Sequence, residues 1–71
     1  MRYTVVIEEG PTSFGAYVPD LPGCVAAAET RAEVISLIRV AIESHLQTMR
    51  DEGMAVPTPQ STAEWIEVAI A

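Results

Sequence analysis

The chain has 71 residues, of which ten are acidic and four basic, for a net charge of −6, and 49% of it is hydrophobic. So short a chain holds one small domain, and its negative balance has the wrong sign for neutralising phosphates, which argues against direct nucleic-acid binding. The single cysteine, Cys24, excludes an internal disulfide and a multi-thiolate metal site, and fits a reducing, cytoplasmic setting.

Taken in chain order, Met1 to Gly10 alternates polar and apolar residues and has no apolar block of the signal-peptide kind. Within it Tyr3, Val5 and Ile7 alternate with Arg2, Thr4 and Glu8, which predicts a half-buried strand over Arg2 to Glu8. Gly10-Pro11 is a turn pair, and Phe14, Ala16 and Val18 then continue at period two. The simplest arrangement is an antiparallel hairpin.

The next stretch, Tyr17-Val-Pro-Asp-Leu-Pro-Gly-Cys-Val25, interrupts the strand pattern with two prolines and a glycine. Each proline fixes its own φ and holds the preceding residue, Val18 or Leu21, out of helical geometry. In Leu21-Pro22-Gly23-Cys24 the proline stands second and the glycine third, as a type II turn requires. A third strand, Cys24 to Ala28, is expected after that turn.

Thr30-Arg31-Ala32-Glu33 is a capping box, so a helix begins after Thr30. Val34, Ile35, Leu37, Ile38, Ala41, Ile42, Leu46 and Met49 share one half of its circumference, and Val40 points the other way. Ser36, Arg39, Glu43, Ser44 and His45 break this region, so no membrane-spanning segment is expected and the protein reads as soluble. Gly53 suits the left-handed position that ends a helix, with Met54 reaching back to Met49.

Pro57-Thr58-Pro59 stiffens a polar connector, and a last strand, Glu64 to Ile70, is predicted with Ile66, Val68 and Ile70 on one face. The element order β-β-β-α-β makes an α+β fold of two layers, one long helix across one face of a four-stranded sheet. The other sheet face carries Val6, Tyr17 and Trp65 and is a candidate association surface. Apolar excess in so small a chain points to a homodimer or higher oligomer.

His45 lies in the apolar half of the helix, where a satisfied core or interface histidine is the plain reading. A general base or metal ligand would need partners, and no second histidine exists. Cys24 has no basic neighbour in sequence to activate it and reads as an inert thiol. Asp20 is expected to stabilise its own turn, since metal-assisted hydrolysis needs several converging carboxylates. Glu64 and Glu67 beside Trp65, with Glu8 and Glu9, would give an apolar patch an acidic rim. No phosphate-cradling glycine motif is present, so no catalytic, cofactor or metal site is assigned.

The Tyr17 to Val25 stretch, the Glu29-Thr30 helix start and the Gly53 to Pro59 ending together resemble the HicB-like antitoxin family. The family motif falls on Tyr17, Pro19, Asp20, Pro22, Gly23 and Cys24, while Ala28 stands where the family has a glycine before the helix. The resemblance implies a partial ribonuclease H-like fold with sheet order 3-2-1-4 and no nuclease activity. It also implies a partner, a small basic HicA-like toxin that cleaves mRNA and whose active site the antitoxin covers. Many members continue into a DNA-binding segment, and a chain ending at Ala71 is expected to lack autorepression by itself. An oligomeric scaffold or ligand-binding domain without a toxin is the alternative. A metal-dependent nuclease built on Asp20 and His45 would rest on fold analogy alone.

Overall fold

A computed structural model describes residues 1–70. Three strands, β1 (Val6–Glu9), β2 (Phe14–Tyr17) and β3 (Val25–Ala28), are followed by one helix, α1 (Arg31–Asp51). The strands form an antiparallel meander in the order β1-β2-β3, with Val6 opposite Tyr17 and Tyr17 opposite Val25. The Gly10 amide donates to the Ser13 carbonyl and closes the first hairpin.

Period two fixes which side chains face inward. Ala16 is buried on the inner face, and Ile7 lies opposite it on β1 and Ala26 on β3. The core gathers Ala16, Val18, Leu21, Cys24, Val34 and Ile38, with Tyr3, Val5, Phe14, Ile42 and Leu46 packed around it. Leu21 and Val34 are fully enclosed, and burial of such side chains stabilises by about 1.5–3 kcal/mol each. The helix lies across β3 and β2 and leaves β1 uncovered. Leu37 and Val40 face outward.

Both helix ends are built as the residues foretell. The Thr30 side chain accepts from the Glu33 amide at 3.1 Å, and its hydroxyl donates to the Glu33 carboxylate at 2.9 Å. At the other end Gly53 has φ of 70°, its amide donates to the Arg50 carbonyl, and the Met54 amide donates to the Met49 carbonyl. This pair of bonds is a Schellman ending, which only a left-handed residue after the last turn permits.

Among the described residues the sheet has three strands and the fourth strand expected over Glu64 to Ile70 does not join it, so the order 3-2-1-4 is met only in its 3-2-1 part. Residues 54–70 form neither helix nor paired strand, and Ile66, Val68 and Ile70 are exposed. Alternation reports that a segment suits a sheet, but it does not say whose edge the segment joins. The exposed tail lengthens the molecule to 52 Å. Its radius of gyration is 14.3 Å, against about 11 Å for a compact domain of this length.

Candidate functional site

The proline-rich stretch folds as two successive turns. The Leu21 amide donates to the Val18 carbonyl at 3.0 Å, placing Pro19 and Asp20 at the centre of the first turn. The Cys24 amide donates to the Leu21 carbonyl at 3.1 Å, and Gly23, with φ of 84°, occupies the third position of the predicted type II turn. The Val18 amide then reaches the Cys24 carbonyl and seals the corner. Val18, Leu21 and Cys24 point inward and plug the end of the sheet, while Pro19, Pro22 and Gly23 stay outside. The motif is thus a rigid corner.

The Asp20 carboxylate bonds to the distant connector and not to its own turn, which corrects the sequence expectation. One carboxylate oxygen accepts from the Gln60 and Ser61 amides, each at 2.9 Å, and the other accepts from the Ser61 hydroxyl at 2.9 Å. The backbone amide of Ser61, then that of Gln60, holds its pKa below the ordinary value, since these donors favour the charged form. The Tyr3 hydroxyl donates to the Pro57 carbonyl, and the Thr4 hydroxyl to the Ser61 carbonyl at 2.6 Å. Asp20, Tyr3 and Thr4 therefore strap the connector across the corner and the start of β1. Gln60 and Ser61 carry no sequence signal for this role, because the contact spans forty residues of chain.

Cys24 is buried, and burial raises its thiol pKa, so it is an inert packing group. His45 is half-buried in a groove shared with Cys24, Thr48 and Met49. Among the described residues no group of three or more His, Cys, Asp or Glu side chains is placed to hold a metal ion.

The outer face of the sheet is the remaining candidate surface. Val6, Tyr17 and Val25 stand side by side across its strands, and Glu8, Gly15 and Ala27 form the next row. Tyr17 and Val25 are 40% and 65% exposed, enough to offer a partner a continuous apolar strip. Gly15 and Ala27 beside it keep the surface low. Val25 was missing from the predicted surface, although a β-branched residue one step from inward Cys24 belongs on the outer side by alternation. Trp65 was expected on this face and is not there: it is 99% exposed on the tail, outside the sheet. Glu8 and Glu9 end β1 and border the face, whereas Glu64 and Glu67 lie on the tail.

The family model described as "HicB_like antitoxin of bacterial toxin-antitoxin system" matches residues 3–69. The chain is 28% identical to Antitoxin HicB 2 of Photorhabdus laumondii, over 96% of its own length and 50% of that protein's. It is 30% identical to a UPF0150 protein of Thermoplasma acidophilum, covering 96% of this chain and 97% of the relative. The chain thus spans about half the length of one curated relative and nearly the whole of the other. A chain of the solved HicA3 and HicB3 toxin-antitoxin complex superposes with a TM-score of 0.71 at 28% identity, covering 84% of this chain and 70% of that one. With the corner, the strap and the capped helix all falling inside the matched span, this chain belongs to the HicB-like antitoxin family.

Proposed function

We propose that residues 1–71 act as a single toxin-binding unit that neutralises a small, basic, mRNA-cleaving toxin by covering its active site. The observation that carries this reading is the uncovered outer sheet face, where Val6, Tyr17 and Val25 form an apolar strip on a molecule of net charge −6. An apolar centre in an acidic surround suits a basic partner, since the charges steer the encounter and the strip supplies the contact. The likeness to a chain of a toxin-antitoxin complex supports the same reading. The role is binding and not catalysis, and the buried thiol of Cys24 suits the reducing cytoplasm. A fourth strand beside β1 would complete the partial ribonuclease H-like sheet.

The test is an mRNA cleavage assay with the small basic toxin encoded beside this chain. Wild-type protein in excess should stop cleavage, and Tyr17→Ala should weaken inhibition by roughly tenfold or more, as for a central aromatic anchor. Val40→Ala, on the outer side of the helix, should leave inhibition unchanged. Cleavage that continues with wild-type protein present would overturn the reading; inhibition indifferent to Tyr17→Ala and Tyr17→Glu would remove the sheet face from it.

The alternative, an oligomeric scaffold or ligand-binding domain without a toxin, is favoured by one feature, the open apolar groove between β1 and the helix. Failure of inhibition together with a defined oligomer would select it.

A further inference from the structure

We infer that the C-terminal arm, residues 62–70, is exchanged between two copies of this chain, each arm lying along the open edge of β1 in the other copy and closing the groove beside it.

The groove follows from the offset of the helix. Because α1 packs on β3 and β2 but not on β1, the apolar side of β1 faces an opening of about 560 Å³. Tyr3, Val5 and Ile7 line one wall and Ile35, Ile42 and Leu46 the other. β1 is also an edge strand, so its outer backbone groups have no ladder partner in this sheet. An open edge above an apolar floor is the place of one more strand.

The arm has the composition of that strand. Ile66, Val68 and Ile70 recur at period two, and they are 77%, 78% and 93% exposed, so this apolar row covers nothing in its own chain. Nine extended residues reach about 30 Å, ample to run the length of β1. The strap fixes where the arm departs, since Ser61 is held by Asp20 and by Thr4 near the start of β1. From there the arm stands clear of its own groove.

Charge selects the occupant. Arg2 and Arg39, two of the four basic residues, stand at the groove with Glu43, and the arm brings Glu64 and Glu67. A basic toxin suits the acidic molecule at its outer face but not at this arginine-bearing mouth. A second copy of the acidic arm suits it. Reciprocal exchange about a two-fold axis gives each copy what it donates and leaves no β1 edge open.

Sedimentation equilibrium of the full chain without toxin tests the exchange, together with isotope-filtered NMR on a mixture of labelled and unlabelled protein. The expected mass is twice 7.6 kDa, with intermolecular contacts from the Ile66 and Val68 methyls to Ile7 and Ile42. Val68→Glu, on the exposed arm, should give a folded monomer by circular dichroism, and Ile42→Glu in the groove should also lose the dimer. Val40→Glu should keep it. A monomeric wild type, whether its arm is free or folded onto its own β1, would overturn the inference. So would a dimer that survives Val68→Glu. Toxin binding enters none of these readouts, so the two proposals fail separately.

Discussion

Asp20 carries the most weight for its size. Its lowered pKa means that the three bonds to Gln60 and Ser61 stabilise the fold fully above the unfolded carboxylate value of about 3.9, and that this contribution is lost as pH falls through the lower folded value. The Ser61 amide resonance should therefore titrate with a midpoint below 3.9, the ordinary aspartate value; Asp20→Asn should abolish that titration. A midpoint at or above the ordinary value would mean that the strap is open in solution. The two glycines of the sheet region make a sharper contrast. Gly23→Ala forces a side chain into φ of 84° and should cost about 1–2 kcal/mol in urea unfolding. Gly15→Ala meets nothing within 4 Å of the new carbon and should be neutral or stabilising, since glycine inside a strand is entropically unfavourable. At this scale the sequence was legible where chemistry is local, as in Pro22-Gly23, and silent where Asp20 finds a partner forty residues away.

Among the elements, the helix was the most legible, because its start and stop each combine several residues with one geometric meaning. Thr30→Ala removes the acceptor for the Glu33 amide and should lower stability by about 1 kcal/mol, measurable as a drop in melting temperature, with Thr30→Ser restoring most of it. The alanine-rich β3 has weak strand propensity, yet it pairs along its full length with β2 because the corner delivers it beside that strand. The last strand shows the opposite case. Its pattern is stronger than that of β3, but no turn delivers it to an edge of its own sheet, and tertiary placement decides over propensity. The helix face was read slightly too wide: Leu37 is 48% exposed and sits on the rim of the apolar half.

For the whole molecule, net charge bears on the proposed toxin-binding face. Binding of a basic toxin to a chain of net charge −6 should slow markedly as salt rises, because screening shortens the range of steering to about 8 Å at physiological ionic strength. Stopped-flow association rates at increasing salt would show this, and a salt-independent rate would place the energy in the apolar strip alone. The α+β class, with antiparallel strands and one long helix, could be anticipated from pattern and motif. The position of the helix over β2 and β3 could not, because amphipathic period identifies the buried side of a helix and not the strands beneath it.

The meander has a kinetic consequence. β1, β2 and β3 pair in the order in which they occur along the chain, so the strand ladders close short loops, and such local pairings form fast. The strap spans the longest stretches, joining residues 3, 4 and 20 to residues 57–61. Its loop-closure entropy is repaid only once the corner and the helix already hold their places. The body can therefore form before the connector is tied down, and the strap, closing last, acts mainly as a brake on unfolding rather than as a guide to folding.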